Sequence, residues 1–317
     1  MSDKYFEILR PGINSSIQDK GRNHLYHIGI TISGAMDQRI FTLSNALVGN
    51  DLNVGVIEFA HQGPLLKLKN GSVNFAIAGD VKFNILRKNS IIEEGKCFQS
   101  YFLDNEDQID IVSTINSVFG YLAVEGGFQI EKIWDSYSVN IKAKVGPNNG
   151  EKFSVNEKIY IKKSKVENFL EKKLDYSALL EKTIRIIKGT NFDYFSEDAK
   201  NKFFNEEYLV TNQSDRMGMR LEGPKLENIV NTNIKSEGLV KGVVQVPADG
   251  NPIILFSDHG SIGGYPKIAV VITADHDMTA QLIPRSKIKF KEVNLDEAEK
   301  LFESYFNKTK SYIEQIK

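Results

Sequence analysis

The sequence predicts a mainly β protein of the β-rich α+β class, and three observations carry that prediction. Short runs rich in β-branched and aromatic residues recur along the chain. Gly, Asn, Asp or Pro stands between many of them, and strand-like and helix-like segments do not alternate regularly. The first two features are the pattern of barrels and sandwiches. The third disfavours a doubly wound parallel sheet. At 317 residues the chain exceeds what one compact core usually needs, so two subdomains are expected.

In chain order, the strand-like runs are Tyr5 to Leu9, Val54 to Phe59, Val73 to Ala78, Ile109 to Val112 and Val118 to Val124. They continue with Ile184 to Ile187, Tyr208 to Thr211, Gly242 to Val246, Ile253 to Phe256, Ile268 to Ile272 and Ile288 to Phe290. Helices are few. Met36 to Leu47 sets Met36, Ile40, Leu43 and Leu47 on one face at spacings of three and four. After Asn294, a plausible N-cap with Glu297 completing a capping box, Leu295, Ala298, Phe302, Tyr305 and Phe306 form an apolar stripe. Both helices read as core. Lys162 to Lys182, dense in Lys and Glu, reads as a solvated connector or short helix. These features divide the chain into an N-terminal subdomain (1–165), a C-terminal subdomain (183–293) and a terminal helix (294–317).

Composition narrows the function classes. Forty basic against 41 acidic residues leave a formal charge of -1, which gives no electrostatic reason to expect nucleic acid or an anionic membrane. No apolar run approaches the roughly 18–20 residues that cross a bilayer, and the polar N-terminus lacks the apolar core of a secretion signal. The single cysteine, Cys97, excludes an internal disulfide and makes the cytoplasm the expected compartment. With no nearby histidine, it reads as a packing or surface thiol rather than a nucleophile. The five histidines show no zinc-ligand spacing, so no metal ligands are expected.

Three segments are denser in Gly, Asp, Arg and Pro than strands require. In Pro11 to Arg22 and Gly29 to Asp37, glycine turns surround Asp19, Arg22, Ser33 and Asp37, which could orient a small polar ligand. Equally, Asp19 and Arg22 could brace a turn while Ser33 or Asp37 caps the following helix. In Asn212 to Pro224, Asp215, Arg216 and Arg220 lie among glycines, suiting either an anion-binding concavity or an internal Asp–Arg brace. In Gly242 to Lys267, Gln245 and Asp258 precede Gly263, Gly264, Tyr265 and Lys267. The Gly-Gly-Tyr-Pro run forces irregular backbone, and Lys267 could neutralise a phosphate or carboxyphosphate, or simply be an exposed hairpin lysine. No GxxxxGK[ST] phosphate loop is present.

The strings PGxxxSxQDxGR, SGAMD, LVGN, SDRMGxRLEGP, SEG, GVVQVPADGxPI and GGYPKIAVV follow one another in order between about Pro11 and Phe290. By these the chain resembles the family of allophanate hydrolase subunit 2, KipA-type proteins, urea carboxylase carboxyltransferase domains and 5-oxoprolinase C subunits. The resemblance implies two β-barrel-like subdomains, the C-terminal one cyclophilin-like. It also implies a partner, a KipI-like B subunit, with which an active-site cleft is shared. In the 5-oxoprolinase arrangement, ATP with Mg activates the lactam of 5-oxoproline, and conversion to glutamate is completed by an A-type lactam-opening subunit. In the urea carboxylase arrangement, a carboxyl group passes from carboxybiotin to urea. A third possibility is a KipA-like regulator that sequesters a KipI-like kinase inhibitor.

Residue chemistry within these motifs makes Arg216 and Lys267 candidates for charge stabilisation, and Asp19, Asp258 and Gln245 for gripping or deprotonating an amide. Arg22, Ser33, Asp37, Asp215, Gly263, Gly264 and Tyr265 are candidate substrate contacts. The chain departs from the family pattern at Gly29-Ile30-Thr31-Ile32-Ser33, where a Pro is usual, and at Lys188-Gly189-Thr190-Asn191. It departs again at His259 in place of Arg, at Ser261-Ile262 in place of Thr-Thr, and at Pro284-Arg285-Ser286. The changes at His259 and Ile262 bear on the substrate rather than the fold.

Overall fold

The computed structural model describes residues 3–163, 171–177, 181–230 and 233–316. The chain divides into two units. One comprises the segments up to Arg22, Ser33–Ser177 and Thr309 onward; the other comprises Asn23–Ile32 and Ala178–Lys308.

The first unit is built from two antiparallel sheets. The six-stranded sheet has the order Lys158–Tyr160, Tyr5–Arg10, Leu65–Lys69, Gln108–Thr114, Val81–Leu86, Ile92–Glu94. The five-stranded sheet has the order Ser16–Gln18, Val56–Ala60, Phe119–Val124, Val73–Ala78, Gln99–Leu103. Their apolar faces share one core that includes Phe6, Phe59, Phe75, Phe83 and Ile109. Leu65–Lys69 and Val81–Leu86 alternate between buried and more exposed side chains, as strands with one covered face do. Phe119–Val124 is buried throughout, because a second layer covers its other side. That layer is helix α1 (Gln38–Leu47), which packs on Phe119–Val124 and Val73–Ala78 and is buried from Ile40 to Leu47. The helix begins two residues later than the predicted Met36, since Asp37 is its cap and its side chain accepts a hydrogen bond from the Ile40 N–H.

The second unit is organised around a closed seven-stranded barrel. Its strand order is Thr183–Lys188, Lys267–Val271, Val243–Gln245, Ile253–Leu255, Gly218–Glu222, Tyr208–Val210, Lys287–Glu292. A parallel pairing of Thr183–Lys188 with Lys287–Glu292 closes it, which leaves no open edge. Met219, Ile254, Val244 and Ala269 form a buried cross-strand row on one face. On the opposite face Val243, Leu255, Ile253 and Val270 cluster with Leu239. A two-stranded flap, Glu237–Gly238 paired with Ile262–Gly263, adjoins Leu239.

Two further helices of this unit are absent from the sequence-based expectation. They are α2 (Glu197–Asn205), capped by Ser196 and packed through Phe203 on Phe290 at a ring distance of 4.4 Å, and the short α3 (His276–Ala280). The terminal helix, α4 (Leu295–Gln315), starts at the predicted cap, where Asn294 Oδ1 accepts from the Glu297 N–H. Its stripe is not core, however. Leu295, Phe302 and Phe306 remain 46–61% exposed and no α4 residue is buried. An amphipathic pattern specifies a helix, but it does not specify what covers the apolar side. Of the predicted connector, residues 164–170 and 178–180 lie outside the described residues. Residues 171–177 do not read as solvated spacer: the Lys172 carbonyl accepts from the Ser100 N–H, and the Leu174 N–H donates to the Phe98 carbonyl.

Candidate functional site

The motif residues fall into two groups, one in each unit. In the first unit Asp19 is fully buried, and its carboxylate accepts from the Gly21 N–H, Tyr137 N–H, Ser136 Oγ and Ser138 Oγ at 2.5–2.8 Å. Three of these donors meet Oδ1 and one, the Tyr137 N–H, meets Oδ2. The bonds Asp19 makes are those of a loop brace. Arg22, also buried, donates through Nη2 to the Ser138 carbonyl, so it ties down the same loop. Ser33 holds a left-handed φ of 56° and accepts from Asn140 Nδ2 at 3.2 Å. Gly34 beside it has no alternative residue, because a Cβ there would sit 2.8 Å from the Gly21 nitrogen. Asp37 caps α1, while its N–H donates to the buried Tyr121 hydroxyl, which in turn donates to Glu58. The bonds named here brace the loops and cap α1.

The second group lies on the barrel. Arg216 and Asp258 form a buried two-pronged pair, Nε to Oδ2 at 2.8 Å and Nη2 to Oδ1 at 3.1 Å. Asp215, by contrast, is exposed and folds back on the Met217 and Gly218 N–H groups at 2.8 and 3.3 Å, a turn bond rather than a ligand contact. Gln245 and Lys267 are register partners at the ends of adjacent strands, both almost fully buried. Gln245 lies on the Val243 face of its strand, since side chains two apart share a face. Its amide donates weakly to the Tyr265 carbonyl at 3.4 Å.

Lys267 is not an exposed hairpin lysine. Its side chain is 5% exposed and its ammonium bonds Glu237 of the flap, whose own side chain is 43% exposed. Glu237 is held below the usual carboxylate range by that hydrogen bond from Lys267. Gly263 is placed so closely that a Cβ would meet Leu239 at 2.8 Å and Gln245 Nε2 at 2.9 Å. Gly264 accepts from the Ile234 N–H through its carbonyl, and Tyr265 is 41% exposed beside them.

Between these two pairs runs the stretch Asp258 to Lys267. His259 is buried, with Nδ1 2.6 Å from the Gly260 carbonyl and Nε2 3.2 Å from the Tyr26 hydroxyl. Burial holds His259 below its ordinary value and pushes Tyr26 above its own. Glu237, Tyr26 and Asn191, which accepts from the Lys267 N–H at 3.1 Å, were not among the predicted site residues. Glu237 stands within the SEG string, so its position was available; nothing local signals that Tyr26 reaches His259.

The arrangement offers a cation held at a flap by a replaceable carboxylate, a neighbouring carboxamide, and a buried Arg–Asp pair beside a neutral imidazole. That set can grip a planar amide and its developing negative charge. A groove of about 530 Å³ in the first unit, lined by Arg87, Glu93, Tyr101 and Asp107, contains none of these residues. A groove of about 440 Å³ on the barrel, lined by Arg220, Asp249 and Arg285, likewise lies apart from them. Cys97 is a packing thiol: burial pushes it up to about 11, and it donates to the Val81 carbonyl.

A family described as carboxyltransferase domain, subdomain A and B, matches residues 28–292. The 5-oxoprolinase C subunit of Haemophilus influenzae is 30% identical over 312 residues, covering 98% of this chain and 97% of that one. The Escherichia coli 5-oxoprolinase C subunit is 29% identical over 294 residues, covering 92% of each chain. The crystal structure of the K. lactis urea amidolyase superposes on 98% of this chain with a TM-score of 0.89 at 24% identity, using 20% of that much longer chain. This last likeness speaks to the fold.

Proposed function

Because the chain belongs to the carboxyltransferase-domain family of subdomains A and B, we propose that it is the C-type subunit of an ATP-dependent 5-oxoprolinase. In this reading it forms the lactam-activating site with a KipI-like B subunit, and ring opening to glutamate is completed by an A-type subunit. The observation that carries the reading is co-extension: a 5-oxoprolinase C subunit aligns across nearly the full length of both chains.

The residues of this chain do not by themselves fit ATP with Mg. No group of three or more His, Cys, Asp or Glu side chains that could hold a metal occurs among the described residues. Arg216 and Lys267, the cations suited to phosphate, already face Asp258 and Glu237. We therefore assign nucleotide binding to the assembled complex and route no step through it here. What this chain supplies is the amide end of the reaction. Lys267 and Gln245 orient the lactam, and Arg216 keeps Asp258 fixed beside His259. Glu237 is solvent-accessible enough to yield Lys267 to an incoming anion.

The test is co-expression with the neighbouring B- and A-type subunits, measuring 5-oxoproline-dependent ATP hydrolysis and glutamate release. Activity that requires this chain supports the reading. Turnover that instead needs a biotinylated carrier and bicarbonate would move the chain to carboxyl transfer, the alternative raised by the likeness to urea amidolyase. Silence in both assays with tight partner binding would favour the KipA-like regulator.

A further inference from the structure

The segment Asn23–Ile32 interrupts the first unit in sequence yet belongs to the second, and it carries Tyr26 to His259. The two hydrogen bonds of the His259 ring fix where its proton sits. A backbone carbonyl can only accept, so the 2.6 Å contact with the Gly260 oxygen places the hydrogen on Nδ1. Nε2 is then a bare lone pair, and the Tyr26 hydroxyl 3.2 Å away is its donor. With its hydrogen committed to the ring, the phenol oxygen keeps its lone pairs for another group.

We propose that Tyr26 and His259 form a proton-relay dyad: the Tyr26 hydroxyl takes the proton of a substrate amide N–H as it passes its own to His259 Nε2. This rests on the reading of the chain as an amide-activating subunit. The step balances as two proton transfers. The amide N–H bond breaks as the Tyr26 O–H forms, and the original Tyr26 O–H breaks as the His259 Nε2–H forms. The electron pair left on the amide nitrogen delocalises to its carbonyl oxygen, making that oxygen the stronger nucleophile. The imidazolium keeps its Nδ1–H bond to Gly260 throughout.

The surroundings suit each member. Burial keeps Tyr26 protonated at neutral pH, so it cannot serve as a base without a group to receive its proton. Burial also keeps His259 neutral and able to receive one. The charged groups acting on His259 are Asp258, which favours the protonated ring, and Lys241, which opposes it. Arg216 holds Asp258 in place through two bonds, so the favourable charge cannot swing away. In this reading Tyr26 is the catalytic residue, and His259 acts through it.

The experiment uses the co-expressed complex and the full chain. Tyr26→Phe and His259→Gln should each lower kcat about 100-fold with KM within about threefold, the usual size of a lost acid–base group. Far-ultraviolet circular dichroism should be unchanged. The acid limb of the wild-type pH profile, lying below the ordinary histidine range, should vanish in His259→Gln. Histidine ¹⁵N spectra of the full chain, assigned by difference with His259→Gln, should show the Nδ1–H form, with the Nε2 resonance moving in Tyr26→Phe. An Nε2–H form overturns the dyad, and so does an active complex in which both variants keep kcat within about threefold. If the wild-type complex is inactive on 5-oxoproline, the functional reading fails. The relay from a substrate amide then fails with it, and the ¹⁵N spectra decide only whether Tyr26 donates to His259 Nε2.

Discussion

The loop cluster around Asp19 and the barrel face around Lys267 look alike in sequence: each mixes an acid, a base and several glycines. Their structures separate them. Asp19 is sealed in by four protein donors and is fully buried. Lys267 is also buried, but its one carboxylate partner is 43% exposed and sits on a two-stranded flap. The first arrangement spends its polar groups on fixing backbone. The second leaves a buried charge with a partner that solvent, or a ligand, can displace. Density of charged residues in a motif does not distinguish the two. What does is whether the partners are fixed and how much water reaches them.

The sharpest way to break this comparison is Asp19→Ala. It would strand four donors at once, two of them on the buried Ser136 and Ser138, and unsatisfied buried groups cost about 1–3 kcal/mol each without adding fully. We expect a loss of about 5 kcal/mol in urea unfolding, read on the transition of the first unit. A loss under about 1 kcal/mol would mean that the loop does not depend on its brace. Asp258→Ala comes next, since removing one partner of a buried pair costs about 3–5 kcal/mol. The double variant Arg216→Met with Asp258→Leu should recover part of that loss, because no lone charge is left buried. No recovery would place the cost in the other interactions of Arg216 rather than in its pair with Asp258.

Much of the fold was legible because it is local. The strands from Val73 to Ala78 and at Phe119–Val124 stand out as β-branched or continuous apolar runs, and Asn294 announced α4. Some missed elements also left a signal. Leu65–Lys69 and Val81–Leu86 alternate cleanly, and Ser196 followed by Glu197 and Asp198 is a helix start. The site was legible only as a collection of residues. Asp19 finds Ser136 and Ser138 more than a hundred positions away, and Lys267 finds Glu237 thirty positions away. No periodicity encodes such pairings, so sequence alone could not tell brace from binding residue. The exposed stripe of α4 fails for a related reason: whether an apolar face is covered depends on residues elsewhere.

A pH titration sharpens the comparison at a braced group of the barrel. Burial pushes His276 down to about 3, and its Nε2 lies 3.1 Å from the Val271 carbonyl. The folded value lies below the unfolded value of about 6.5, so the unfolded chain binds the proton first. The stabilisation is therefore complete above about pH 6.5 and declines as pH falls toward 3. The slope should reach at most about 1.4 kcal/mol per pH unit, a ceiling because the residue keeps partial exposure. Unfolding of His276→Gln between pH 7 and 5 should lack this component; an unchanged slope would assign it to other groups.

The smallest expected stability effect belongs to Glu237→Gln, and it tests the barrel side of the comparison directly. The amide keeps an acceptor oxygen beside Lys267, so the change in unfolding free energy should stay below about 2 kcal/mol, under the cost at Asp258. Binding should move the other way. With the carboxylate gone, Lys267 meets only an amide oxygen at the flap, and an anion there no longer has to displace a competing charge. Titration of 5-oxoproline, followed by calorimetry on the assembled complex, should show tighter binding by about threefold to tenfold, a gain of about 1 kcal/mol. Weaker binding would mean that Glu237 contacts the ligand itself. A stability loss of several kcal/mol would mean that this pair is a brace like Asp19, and the distinction between the two clusters would collapse.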